Sequence, residues 1–212
     1  MIDLNKLHEA ILTGDGKMAL AVTREAIDSG IAPMELVSKY MIPAMDEVGR
    51  LFECEEYYLP ELLMSAHAMK AALQVIRPLL AAGGIEPAGR VVIGTVKGDL
   101  HDIGKNIVAA MLEGGGFEVT DLGADVAPEK FIEAIREKNA DIACFSALLT
   151  VTLPWMKTTI EALKQAGVRD RVKIMIGGAP VTQQYANEIG ADGYSENANS
   201  AVALARKFIG GK

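Results

Sequence analysis

Apolar positions in the first eighty residues recur at steps of three and four: Leu4, Leu7 and Ile11; Ala19, Val22 and Ala26; Val37, Met41, Met45 and Val48; Leu62, Ala66, Met69, Leu73, Ile76 and Leu80. That spacing puts each set on one face of a helix. The pattern therefore predicts four amphipathic helices ending near Ala82, and four apolar stripes that each need a partner surface imply a small bundle. Gly14-Asp15-Gly16 and Gly30-Ile31-Ala32-Pro33 mark the first two breaks. Pro60 suits the first turn of the fourth helix, where an N–H has no intrahelical acceptor. Pro43 conflicts with the pattern, because inside the third stripe its ring should kink the helix.

Beyond Gly89 the pattern changes. Short apolar runs, Val91-Val92-Ile93-Gly94, Ile142-Ala143-Cys144-Phe145 and Ile174-Met175-Ile176, alternate with helical segments. Consecutive apolar residues in so short a run suit strands buried on both faces of a parallel sheet. Strands are predicted at 90–95, 117–121, 141–146, 172–176 and 192–194, with helices at 104–115, 128–138, 154–166, 180–189 and 197–209. This is the βαβ pattern of a doubly wound α/β fold with five parallel strands. The stretch Ala81–Gly89 is rich in Gly and Pro and reads as a linker, dividing the chain into a helical domain, 1–87, and an α/β domain, 88–212. In the flavodoxin-like strand order the first and third strands are neighbours at the switch point, where ligands bind. The loops after strands one, three and four carry Asp99–Gly104, Ser146–Thr152 and Gly177–Ala179, so all three surround one edge.

Composition narrows the class without naming it. Half of the 212 residues are hydrophobic and 23% are charged, as in globular proteins. No run of about 18 apolar residues occurs and no basic leader precedes an apolar stretch, so no membrane role is expected and a cytoplasmic location is. Two cysteines, Cys54 and Cys144, fit a reducing compartment. A net charge of −7 with no basic run argues against nucleic acid as a partner. The mixed run Glu129, Lys130, Glu133, Arg136, Glu137 and Lys138 reads as a solvated helix face.

Chemistry concentrates in Asp99-x-His101-x-x-Gly104, placed where a strand gives way to a helix. A histidine two residues after an aspartate can turn one ring nitrogen to a metal and the other to the acid, which fixes the tautomer and strengthens the donor. Only His8 and His67 accompany it, and the cysteines lie far apart, so no zinc-like set of four ligands can form. One protein ligand suggests a metal that arrives with its other ligands attached. By itself the motif reads equally well as a turn with an anion site at a helix N-terminus. Two further motifs bear on that choice: Ser146-Ala147-Leu148 begins after 41 intervening residues and Gly177-Gly178 follows after 28 more, each behind an apolar strand.

This spaced set resembles the signature of the B12-binding domain family, over residues 89–212. The preceding segment is similar to the helical cap that accompanies this domain in methionine synthase and in corrinoid proteins of anaerobic methyltransferase systems. The resemblance implies a cobalt corrinoid, cobalamin or a relative, bound base-off with His101 as the lower cobalt ligand. It assigns Asp99 to the distal imidazole nitrogen and extends the relay to a hydroxyl, with Thr152 and Thr150 as competing candidates. The displaced nucleotide tail would run past Asp102, Ile103, Gly104, Ser146, Leu148, Gly177 and Gly178, with glycine leaving it room. In the cap, Phe52 and Leu59 match a pair that covers the upper face; without the resemblance, apolar residues of an amphipathic helix read first as bundle core.

The implied function is that of a methyl carrier. One methyltransferase would load Co(I) from a methylated substrate, and a second would pass the methyl of methyl-Co(III) to tetrahydrofolate or coenzyme M. A reductive activating protein would rescue oxidised cobalt. Methylamines, methanol and betaines are candidate donors, with aromatic methyl ethers, hence O-demethylation, favoured. No Ser/His/Asp set, phosphate-binding loop or zinc cluster offers a substrate site of the chain's own. A B12-dependent sensor and the small subunit of an adenosylcobalamin mutase are the alternatives. Against the first stands the lack of a cap tryptophan, since Trp155 is the only one; against the second stands the full helical cap.

Overall fold

The four predicted stripes appear as α1 (Asn5–Leu12), α2 (Gly16–Asp28), a third segment in pieces, and α5 (Leu59–Ala82). The third segment is α3 (Pro33–Leu36), one wider π turn over Val37–Met41, and α4 (Ile42–Glu53). The wider turn resolves the conflict over Pro43: the Ile42 N–H donates to the Val37 carbonyl five residues back, and Pro43 falls in the first turn of α4, where it owes no hydrogen bond. A change of helical pitch thus precedes the proline. The computed structural model describes residues 2–84 and 86–210. Of the predicted linker, Ile85 lies outside the described residues, as do Met1 and Gly211-Lys212 at the predicted domain ends.

Contacts divide the chain into two units, Met1–Pro87 with Glu113–Gly116, and Ala88–Leu112 with Phe117–Lys212. In the first, α2 packs along α5 and α1 packs against α2, α4 and α5. Every stripe residue except Leu4 and Leu80 is buried. The last turn of α1 is tied to α5 and its approach through the Leu12 carbonyl, which accepts from the Tyr57 hydroxyl at 3.1 Å and the Ser65 hydroxyl at 3.0 Å. Gly14 allows the helices to meet there: it has φ +76°, and a Cβ would stand 2.5 Å from that of Met64.

The second unit is a five-stranded parallel sheet in the order β2-β1-β3-β4-β5, built from β1 (Arg90–Thr95), β2 (Glu118–Asp121), β3 (Ile142–Ser146), β4 (Lys173–Gly177) and β5 (Gly193–Tyr194). The helices are α6 (Ile103–Gly114), α7 (Pro128–Lys138), α8 (Pro154–Gln165), α9 (Gln183–Ile189) and α10 (Ala198–Ile209), with a short 3₁₀ turn at Arg169–Arg171. Right-handed crossovers require α6 to lie opposite α7, α8 and α9, because the chain reverses direction after β2. One face is filled by Val92, Ala143, Phe145, Ile174 and Ile176 against Phe131, Ile135, Met156, Ile160 and Leu163. Phe131 meets Phe145 edge to face with centroids 4.7 Å apart. The alternate residues Val91, Ile93, Cys144 and Met175 are also buried. Both faces of the strands are therefore covered, as their unbroken apolar sequences require.

Candidate functional site

The register of the central strands sets the site. Thr95 at the end of β1 pairs with Ser146 at the end of β3, and Ser146 pairs with Gly177 at the end of β4. The chains leaving those three residues therefore emerge side by side, at the switch point between β1 and β3.

Asp99 lies four residues beyond Thr95 and is wholly buried. Its Oδ1 accepts from the His101 backbone N–H at 3.0 Å and lies 2.8 Å from His101 Nδ1. Its Oδ2 accepts from the N–H groups of Leu148 at 2.8 Å and Leu149 at 3.2 Å, and from the Thr152 hydroxyl at 2.7 Å. Burial works against the charge of this carboxylate. The hydrogen bonds from Thr152, from the backbone of His101 and Leu148, and from the imidazole outweigh it and hold the carboxyl well below the usual carboxylate range. Thr152 Oγ1 also lies 2.8 Å from the Leu149 carbonyl, and the ionised acceptor is the stronger of the two for its single proton.

An ionised Asp99 can only accept, so Nδ1 of His101 carries a proton, and in the neutral ring the lone pair is then on Nε2. The His101 side chain is 50% exposed. Its carbonyl accepts from the Thr95 hydroxyl at 3.1 Å, which fixes the backbone that carries it. Around this pair the two loops display apolar side chains to solvent: Leu100 (75% exposed), Ile103 (70%), Val151 (77%), and less fully Leu148 and Leu149. Such a collar beside a half-exposed imidazole is unlike a folded surface left to water.

The structure thus brings together Asp99, His101, Leu148 and Thr152. Thr152 is buried and bonded to Asp99, whereas Thr150 is exposed. Asp102 is half-buried immediately before α6, and Ile103 and Gly104 are exposed in its first turn. Ser146 is half-buried at the end of β3. The glycines differ in kind. A Cβ at Gly104 would meet nothing within 4 Å, one at Gly177 would come 3.2 Å from the Ser195 carbonyl, and one at Gly178, φ +131°, would fall 1.9 Å from the Ala147 carbonyl oxygen. Gly178 is therefore required by the chain's own packing. Phe52, near the end of α4, and Leu59, the first residue of α5, are half-buried in the first unit.

Several participants escaped sequence reading. The backbone donors of Leu148 and Leu149 have no side-chain signature. Leu100, Leu149 and Val151 do: apolar residues crowded into a loop behind a strand are a signal for a covered surface. Lys105, directly after Gly104, is 1% exposed at its side chain, with its ammonium 2.6 Å from Asn106 Oδ1 and 2.5 Å from Asp121 Oδ2.

A bare metal ion has no home here, since among the described residues no group of three or more His, Cys, Asp or Glu is placed to hold one. One oriented imidazole with a free Nε2, an apolar collar and open space at Gly104 fit a metal that brings a large apolar ligand with it.

The comparisons with known proteins agree. Models of the B12 binding domain match residues 89–203 and, through a second model of that description, residues 3–77. A dimethylamine corrinoid protein of Methanosarcina acetivorans is 44% identical over 207 residues, 97% of each chain. A trimethylamine corrinoid protein of Methanosarcina barkeri is 46% identical over 206 residues, 96% of this chain and 95% of that one. Among solved structures, a cobalamin-binding protein from Desulfitobacterium hafniense superposes with TM-score 0.78 at 34% identity, covering 98% of this chain and 99% of the other. The methanol:cobalamin methyltransferase complex MtaBC of Methanosarcina barkeri gives TM-score 0.87 at 30% identity, covering 99% of this chain and 80% of the matched chain. With an oriented histidine at the switch point of a flavodoxin-like sheet and a helical unit ahead of it, the chain belongs to the B12-binding family.

Proposed function

We propose that this chain holds a corrinoid at the carboxyl edge of its sheet through His101 and serves as the methyl-carrying component of a methyltransferase system. The observation that carries this reading is the buried Asp99 carboxylate, which keeps the proton on Nδ1 of a half-exposed imidazole and leaves Nε2 free. A cobalt corrinoid, when bound, would supply a metal able to take up and give up a methyl group. The protein supplies the rest. His101 would hold the cobalt in place of the corrinoid's own base, and Asp99 with Thr152 would keep the proton on Nδ1 that sets the basicity of Nε2.

Leu100, Ile103, Leu148, Leu149 and Val151 shield the lower face from water. Gly104 and the polar ends of β3 and β4 at Ser146 and Gly177 accept the displaced tail, with Asp102, Thr150 and Gly178 at its margins. The domains divide accordingly into a cap, 1–87, and a corrinoid-binding domain, 88–212. The assignment of Phe52 and Leu59 to the upper face rests on the motif of the first unit alone.

Two methyltransferases are the partners, one for the methylated substrate and one for tetrahydrofolate or coenzyme M, together with a reductive activating protein. The names of the relatives favour methylated amines over aromatic methyl ethers as donors.

The test is anaerobic reconstitution with hydroxocobalamin, reduction, and electron paramagnetic resonance of the Co(II) form. Nitrogen superhyperfine splitting is expected in the unsubstituted protein and absent in His101→Ala, with far-ultraviolet circular dichroism unchanged. A spectrum indifferent to that substitution removes His101 as ligand. Supplying the reduced carrier and candidate methyltransferases with dimethylamine, trimethylamine, methanol, betaine or an aromatic methyl ether then separates the donors.

A further inference from the structure

The loop that carries His101 is held from β3 through Asp99, and it is held again from the opposite side. The last residue of β2 and the segment after it grip it at both ends. Asp125 has φ +54°, a left-handed conformation that costs a side-chain-bearing residue energy. In that conformation its backbone N–H donates to the Asp99 carbonyl at 2.9 Å, and its Oδ1 accepts from the Gly98 N–H at 2.7 Å. Two hydrogen bonds running in opposite directions close a ring about the residue pair Gly98-Asp99.

At the far end of the loop, Lys105 in the first turn of α6 buries its ammonium against Asp121 at the end of β2, with Nζ 2.6 Å from Oδ1 and 2.5 Å from Oδ2. Asp121 is itself oriented by the Gly123 N–H, which donates to Oδ1 at 2.9 Å. A buried ammonium is expensive to keep unless its partner is fixed in place. Both costly features flank the same six residues, 99–104, and neither Asp121 nor Asp125 touches the imidazole.

We propose that Asp121 and Asp125 are positioning residues of the histidine site, fixing the two ends of the Asp99–Gly104 loop so that His101 meets the Asp99 carboxylate in one orientation. The consequence for cobalt ligation rests on the reading of His101 as lower ligand; the consequence for the imidazole does not.

The test therefore has two arms. In the cofactor-free protein, nitrogen-15 NMR of the His101 ring reports its tautomer. The unsubstituted protein should show Nδ1 protonated, and Asp125→Gly, which keeps the left-handed backbone but loses the acceptor, should show a mixture with Nε2 protonated. Asp125→Asn retains an acceptor oxygen and should restore the single tautomer. Asp121→Asn, which keeps an acceptor for Lys105 but not its charge, should give a smaller shift in the same direction and serves if Asp125→Gly does not fold. In the protein reconstituted with hydroxocobalamin and reduced, Asp125→Gly should weaken Co(II) ligation, with affinity for the corrinoid down about fivefold, the size of one lost hydrogen bond, and thermal unfolding still cooperative.

A folded Asp125→Gly or Asp121→Asn with an unchanged tautomer overturns the proposal. A changed tautomer, with no nitrogen splitting in the unsubstituted protein, leaves the positioning role standing and sinks the ligand reading instead.

Discussion

Two glycine-bearing turns at the same sheet edge are used in opposite ways. After β4, Gly178 passes so close to the Ala147 carbonyl that a single Cβ would overlap it, so its sequence identity is dictated by packing of the chain on itself. After β1, Gly104 faces open space on α6, and nothing in the chain requires it to be glycine. A glycine of the first kind protects the fold, and one of the second kind is not accounted for by the fold. Motif membership alone does not tell the two apart.

The sharpest way to break this contrast is to add the missing methyl group at each place. Gly178→Ala should destabilise the cofactor-free protein by about 3 kcal/mol or more, since backbone must move and the positive φ disfavours a side chain. An unfolding midpoint like that of the unsubstituted protein would refute the packing account.

Of intermediate size is the effect of Thr152→Val, which keeps the shape and removes the hydroxyl that donates to Asp99. At neutral pH it should cost about 1.5 kcal/mol in denaturant unfolding, because a buried carboxylate loses a charge-assisted donor. The pH dependence has a defined sign. The folded Asp99 carboxyl is held below its unfolded value of about 4, so its contribution is present above that value and is lost as pH falls through the depressed one. Weakening the depression shrinks the contribution, so the acid unfolding of Thr152→Val should begin at higher pH, and its difference from the unsubstituted protein should narrow as Asp99 protonates in both. A constant difference across the acid range would show that Thr152 acts by packing alone.

The smallest effect belongs to Gly104→Ala. In the first turn of a helix, with free space for Cβ, it should leave the cofactor-free protein unchanged or more stable by about 0.5 kcal/mol. Corrinoid affinity should fall at the same time, and an affinity equal to that of the unsubstituted protein would mean that the space is not used. Opposite signs for stability and affinity at Gly104, against a plain loss of stability at Gly178, would complete the comparison.

The elements and their order were legible in the residues alone. Helical periodicity marked the stripes of α1 to α5, unbroken apolar runs marked β1, β3 and β4, and every helix of the sheet unit starts within about three residues of its expected position. These are local properties, set by the 3.6-residue repeat of the helices and by short apolar runs buried on both faces of the sheet. The sequence also placed Asp99 and His101, because a separation of two residues is enough to bring an acid to an imidazole.

Tertiary structure decided the rest. The donors to the second oxygen of Asp99 come from Leu148, Leu149 and Thr152, 49 to 53 residues away in sequence, and they arrive only because Thr95 and Ser146 share a register. The choice of Thr152 over Thr150, the reason for Gly178, and the hold of Asp121 and Asp125 on the histidine loop all depend on which strand ends lie side by side. Pro43 shows the same division within the first unit: its sequence announces a conflict with a regular helix, and only the packed chain reveals that one wide turn absorbs it. Hydrogen bonds between distant segments carry no periodic trace in the sequence, because their partners are chosen by strand register and crossover handedness and not by neighbours along the chain.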